Sequence, residues 1–279
     1  MMMSATILKY LLLKLDNLIY KKWNNQPFTS KPIKNIETYL NLWKTASSKE
    51  NPEVTEFEEK LGYKIDKEWL NNLALRTQIV IKKSELNYAH GRVLYSALRK
   101  YISKNIINLK NIVILETGTA RGFSSLCMAK ALDDGKISGS IITLDVLPHL
   151  KKMYWNSITD HTDGALSREK LLEPWQDLLE KFIIFYQGYS MIELKKIGLN
   201  RIHFAFLDGA HSYEDVLYEF NIIKDRQKDG DIIIFDDYND VLFPGIVKAV
   251  NEICKKFNYE KKIIKSFNER SYVVAEKKI

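Results

Sequence analysis

A chain of 279 residues, 46% of them apolar, has ample material for a core and reads as one large α/β domain or a domain with an accessory segment. Its net charge of +7, from 42 basic and 35 acidic residues, is modest and spread in pairs from Lys21-Lys22 to Lys277-Lys278. With no arginine-rich helix, zinc spacing or RNA-binding aromatic motif, that is a solvated basic surface, and no nucleic-acid partner is expected. Two cysteines, Cys127 and Cys254, make neither a disulfide framework nor a metal-binding pair, so the expected compartment is a reducing cytoplasm.

Ile7, Leu8, Leu11, Leu12, Leu15, Leu18 and Ile19 recur at helical spacing. Lys9, Lys14 and Asp16 interrupt what would otherwise look like a signal peptide, and no small-residue cleavage site follows. Residues 5–20 therefore predict an amphipathic helix that packs on the body or on a second subunit, giving a homo-oligomer; peripheral membrane contact is the alternative. Two prolines make residues 24–32 a linker. Short helices are expected at 34–45 and 53–61, and Asp66 caps a helix carrying Trp69, Leu70, Leu73 and Leu75. Val93, Leu94, Ala97, Leu98 and Tyr101 form a helical stripe directly before the first core strand. The chain up to about residue 105 is thus mostly helical.

Ile112 to Leu115 is an apolar run of the kind that makes a strand buried on both faces. Glu116 ends it, Gly118-Thr-Ala-Arg-Gly122 makes a tight turn, and Ser124 and Ser125 open a helix. Strand, glycine turn and helix N-terminus together form a cradle for a nucleotide-like ligand, because glycines admit the ligand closely and the helix offers unpaired N–H groups. An ordinary βα turn is the plain alternative. From here the chain alternates. Strands are expected at 112–116, 141–145, 182–186, 202–208 and 231–236, with helices at about 122–133, 166–181, 190–197, 213–227 and 245–257. That pattern predicts a doubly wound, mostly parallel sheet. Two β-type runs, 261–267 and 270–276, are separated only by Asn268-Glu269 and close the sheet as an antiparallel hairpin. The long connection from Val146 to Lys181 carries His149, Tyr154, Trp155, His161 and Trp175, and suits a lid or a substrate pocket; for Trp175, helix packing is the expected role.

In open α/β sheets ligands collect at the carboxyl ends of the strands. Those ends read Glu116, Asp145, Gly188-Tyr189-Ser190, Asp208 and Asp236-Asp237. Asp145 lies 23 residues after Gly122, where an acidic residue hydrogen-bonds a ribose. A dinucleotide fingerprint wants a second glycine where Ala120 stands, which disfavours pyrophosphate. Asp208, Asp236 and Asp237 put like charges close together; a hard divalent cation resolves their repulsion, as would partial protonation or a lysine. Asp237 capping a turn is another alternative. His211, three residues after Asp208, is placed as a general base.

Taken in order, ETGTARGFSS, LDVLP, QGYS, FLDGAHSYEDV and FDDY, followed by the terminal hairpin, resemble a class I S-adenosylmethionine-dependent methyltransferase from about Leu86 to Glu276. Within that class the chain is similar to the metal-dependent O-methyltransferases of catechol and macrolide-sugar type. The resemblance implies a seven-stranded Rossmann-like catalytic domain over 86–279 after a helical extension over 1–85. It implies that Gly118, Ala120 and Ser124 line the methionine part of S-adenosyl-L-methionine, with Glu116 near its amino group and Gly122 and Asp208 also cofactor-binding. Asp145 would hold the ribose hydroxyls, Ser190 would flank the adenine with Gly188 also cofactor-binding, and Leu86 and Asn87 would cover the cofactor. Asp208, Asp236 and Asp237 match the ligands of a divalent metal, Mg²⁺ being expected; the catechol enzymes have asparagine where Asp237 stands. His211 falls where the catechol enzymes carry a lysine base and the macrolide-sugar enzymes a histidine, which shifts the expected acceptor from catechols toward a small-molecule or glycan hydroxyl. A nicotinamide-dependent oxidoreductase, or a non-catalytic basic module binding membrane or nucleic acid, stands as the alternative reading.

Overall fold

The computed structural model describes residues 31–105, 110–267 and 270–279. The amphipathic stretch expected at 5–20 and the linker up to residue 30 lie outside the described residues, as does the Asn268-Glu269 tip. Helices α1 (Ile36–Ser47), α2 (Pro52–Leu61) and α3 (Lys67–Thr77) come first, followed by α4 (His90–Asn105). Their starts follow local chemistry. Asn35 and Asp66 accept from the backbone N–H groups of Thr38 (3.0 Å) and Trp69 (2.7 Å), satisfying donors that the first turn leaves orphaned. Pro52 opens α2, where its missing N–H costs no hydrogen bond.

Beyond these the elements are β1 (Ile112–Thr117), α5 (Phe123–Asp134), β2 (Gly139–Asp145), α6 (Gln176–Phe182), β3 (Ile183–Gln187), β4 (Phe204–Leu207), α7 (Tyr213–Ile223), β5 (Ile232–Phe235), α8 (Pro244–Lys256), β6 (Tyr259–Lys265) and β7 (Ser271–Lys277). The seven strands form one sheet in the order β3-β2-β1-β4-β5-β7-β6. The first five are parallel, and β7 runs antiparallel to both β5 and β6. This is the doubly wound sheet with a terminal hairpin that the alternation predicts. The order reverses between β1 and β4, which opens the crevice for a ligand at their carboxyl ends.

The period of two along each strand divides the core. Ile114, Phe204, Phe206, Ile232 and Ile234 face one layer, built from α4, α5, the N-terminal helices and the 146–181 connection. Leu115, Ala205, Leu207, Ile233 and Phe235 face the other, built from α7 and α8. On α8 the buried residues Ile246, Ala249, Val250 and Ile253 repeat at i, i+3, i+4 and i+7. Full burial of each isoleucine there stabilises the fold by roughly 1.5–3 kcal/mol. At the sheet edge, exposed Lys261 and Lys262 on β6 discourage pairing with another chain.

The single helix expected at 166–181 is instead a short turn Arg168–Leu171, a 3₁₀ turn Glu173–Trp175 and α6. Pro174, inside the 3₁₀ turn, has no N–H to continue the ladder, and the α-helix resumes only after it. Trp175 then packs edge-on against Trp69 of α3, ring centroids 6.4 Å apart, the packing role expected for it. Among the described residues no helix is long and apolar enough to cross a membrane.

Candidate active site

The turn after β1 is pinned to the neighbouring strand: Gly118 and Thr119 donate to the Leu144 carbonyl at 2.9 and 3.3 Å, and Gly122 donates back to Thr119 at 2.7 Å. Gly118 has φ +90°, and a Cβ there would overlap the Asp208 carbonyl, so no other residue brings β1 and β4 together this closely. Gly122, at φ +83°, leaves room for Leu172, whose Cδ1 would sit 2.6 Å from an added Cβ. Ala120 also takes a positive φ, 45°. The first turn of α5 folds back on the strand, with the Ser124 and Ser125 hydroxyls each donating to one oxygen of Glu116. Glu116 is fully buried, and burial raises its carboxyl above the ordinary range despite those bonds.

Asp145 ends β2 facing the turn. Its Oδ2 accepts from Ala120 N (2.6 Å) and its Oδ1 from Leu147 N (2.7 Å). Gly188 follows β3 and donates to the Asp145 carbonyl at 2.8 Å, so the ends of β1, β2 and β3 share one rim. A Cβ on Gly188 would collide with Glu193. Ser190 begins the helical turn Ser190–Glu193, next to the buried Glu219 of α7. Glu219 accepts from the Thr117 hydroxyl at 2.8 Å, and its carboxyl is pushed up to about 7 by burial, against the pull of the Ser190 and Thr117 hydroxyls.

The acidic tips of β4 and β5 lie across the switch point from the glycine turn. Oxygens of Asp208 and Asp237 and a ring nitrogen of His211 lie within 4.8 Å of one another. His211 Nε2 is 3.6 Å from Asp237 Oδ2, and its ring packs on Phe243 with centroids 4.8 Å apart. Asp236 does not join them. It is buried, and Arg270 grips it through both oxygens, with Nε donating to Oδ1 at 3.1 Å and Nη2 to Oδ2. Burial would raise the Asp236 carboxyl, but the Arg270 guanidinium holds it below the ordinary range. Asp208 is driven well above that range by burial and then by the charges of Asp236 and Asp237. Asp237 moves the same way, from burial and Asp236, opposed by Arg270, His211 and Lys82.

The structure thus gathers Gly118, Asp208, Asp237 and His211 at one crevice, with Ala120, Gly122, Ser124, Asp145, Gly188 and Ser190 along the rim. Asp236 is the exception. Arg270, Arg168 and Glu219 are members that sequence reasoning missed. For Arg270 a signal existed: a strand antiparallel to β5 must begin beside the carboxyl end of β5. The carboxylates of Asp208 and Asp237 fit a hard divalent cation, with the His211 imidazole beside it, whereas a trio using Asp236 would have to break its pairing with Arg270. A separate cavity of about 680 Å³ lies among α1, α2, α3 and α4, lined by residues including Glu58, Arg92, Asn71 and Asn87. Asn87 in its lining touches this site, its carbonyl accepting from Arg270 Nη1 at 3.5 Å.

Residues 115–238 match the family model described as a methyltransferase domain. A 55-residue stretch is 40% identical to an uncharacterized protein, R132, of Acanthamoeba polyphaga mimivirus, covering 19% of this chain and 25% of that protein. The chain therefore spans about a quarter of the length of the curated relative it matches. Its fold is similar to that of the O-methyltransferase NovP (TM-score 0.50, 19% identity, 66% of this chain and 79% of that one). It is also similar to the O-methyltransferase TomG from Streptomyces achromogenes, involved in tomaymycin synthesis and solved in complex with SAM (TM-score 0.50, 15% identity, 77% and 92%). Residues 115–238 thus match a methyltransferase domain, on a fold similar to those of solved O-methyltransferases.

Proposed function

We propose that the chain moves the methyl group of S-adenosylmethionine to a hydroxyl oxygen of a small molecule or glycan, with His211 taking the acceptor's proton. The observation that carries this reading is the convergence of Asp208, Asp237 and His211 within 4.8 Å, beside the Gly118 turn. Carboxylates and an imidazole at the reacting centre suit an acceptor that must lose a proton, as a hydroxyl does. An oxygen–carbon bond forms as the carbon–sulfur bond breaks, the electron pair of that bond passes to sulfur, and the hydroxyl proton goes to His211. Asp237, 3.6 Å from Nε2, stabilises the imidazolium that results. The acidic rim also favours the cationic sulfonium over the neutral thioether product. A divalent cation held by Asp208 and Asp237, with Mg²⁺ the expected ion, would lower the pKa of the acceptor hydroxyl.

Transfer of labelled methyl to a panel of hydroxylated glycans and small phenols tests this reading. His211→Ala should lower turnover by roughly 10²–10⁴-fold, the range of a positioned general base, while affinity for S-adenosylhomocysteine stays within about twofold. Equal loss of turnover and of cofactor affinity would make His211 structural.

A further inference from the structure

Arg168 comes from the long connection after β2, in a stretch whose sequence carries no motif. It opens the turn Arg168–Leu171, and its backbone N–H donates to the His149 carbonyl at 3.0 Å. The side chain is 2% exposed. Its guanidinium lies over the rings of Trp155 and Phe185, 5.8 and 5.9 Å from their centroids. Nε donates to the Ala120 carbonyl at 2.9 Å, inside the glycine turn. Among the described residues Nη2 has no hydrogen-bond partner, although it is buried and charged, and it stands 3.9 Å from Asp145 Oδ1. A buried donor of this kind is costly unless something accepts from it.

These contacts form a ring with one open side. Ala120 donates to Asp145, Arg168 donates to Ala120, and the third side, from Arg168 Nη2 to Asp145 Oδ1, is too long for a hydrogen bond. The gap has a carboxylate acceptor on one edge and a guanidinium donor on the other. A group that completes it must both give and take a hydrogen bond. A hydroxyl does both; a methylene does neither, and a phosphate dianion would face the Asp145 charge.

We propose that Arg168 is a cofactor-contacting residue that, with Asp145, reads a ribose hydroxyl of the nucleoside. The hydroxyl donates to Asp145 Oδ1 and accepts from Arg168 Nη2. This rests on the cofactor reading above and adds a specificity to it: the site selects a ribonucleoside over its deoxy forms through two side chains, of which the stacked arginine is held rigid by Trp155 and Phe185.

Calorimetry with the full chain tests it, using S-adenosylhomocysteine and its 2′-deoxy and 3′-deoxy analogues against wild type, Arg168→Met and Arg168→Lys. In wild type, loss of the bridging hydroxyl should weaken binding roughly 10- to 100-fold, as expected for a hydrogen bond to charged groups. Arg168→Met should bind the parent ligand that much more weakly and distinguish less between parent and deoxy analogue. If Arg168→Met does not fold, Arg168→Lys, which keeps the charge without the planar fork, should show the same loss of discrimination in part. Parent binding unchanged in both variants, or a deoxy penalty that persists in full, would overturn the role of Arg168. Wild type that does not bind S-adenosylhomocysteine at all would overturn the cofactor reading itself.

Discussion

Burial raises the carboxyl of Glu219, and this makes the packing beneath the site measurable. It lies on α7 under the tips of β1 and β4, bonded to the Thr117 hydroxyl, with its carboxyl raised from 4.5 to about 7 chiefly by burial. An acid whose folded pKa is raised costs stability as pH climbs. The unfolded chain ionises near 4.5 while the native state does not, so the cost grows from there and levels off above about 7. At 1.36 kcal/mol per pKa unit, the native state should lose about 2.5 kcal/mol from this group between roughly pH 5 and pH 8. Glu219→Gln keeps the shape and an acceptor for Thr117 but cannot ionise. Urea unfolding of both proteins across that range should show the variant gaining on wild type by about that amount as pH rises. Parallel profiles would mean that Glu219 is ionised or solvated at neutral pH, and the burial argument would fail.

Arg270→Met leaves Asp236 buried without its partner and should cost about 3–5 kcal/mol of unfolding free energy at neutral pH. Because Arg270 depresses the Asp236 pKa, the stability it contributes is present above the ordinary aspartate range and lost as pH falls through the lowered value. Denaturant unfolding should therefore show the deficit of Arg270→Met shrinking in acid. Chelation of divalent cations should reduce methyl transfer and added Mg²⁺ should restore it; activity indifferent to chelator would leave Asp208, Asp237 and His211 working without a metal.

Much of the fold was legible because its cause is local. Period-two and period-3.6 patterns set the alternating strands and helices, and the two-residue gap before Arg270 marked the hairpin. The acidic strand ends were legible too, since a parallel sheet brings all its carboxyl ends to one side. What escaped was the choice of partner across space. Asp236 and Asp237 are neighbours in sequence, yet only Asp237 reaches Asp208 and His211, because Arg270 from the returning strand captures Asp236. Glu219 did leave a trace: it stands three residues after Val216 and just before Phe220, on the buried stripe of α7, where an acid is out of place. Arg168 left none. Its position depends on how the Trp155 segment and the stretch from Arg168 to Leu172 fold over the glycine turn, and no short-range pattern encodes that. The same long connection ties the N-terminal helices to the site: Asn156 accepts from the Tyr39 hydroxyl at 3.2 Å and from Ile81 N at 3.0 Å.

The proposed function needs the Gly118 turn and the facing Asp208 tip to form a sulfonium-nucleoside site. Equilibrium binding of S-adenosylhomocysteine to wild type and to Gly118→Ala tests it most directly, because a Cβ at that position would strike the Asp208 backbone and strain a φ of +90°. Saturable binding by wild type, lost in a Gly118→Ala protein that is still folded by circular dichroism, is the predicted result. No binding by wild type, or equal binding by both, would mean that the Gly118 turn does not hold the nucleoside.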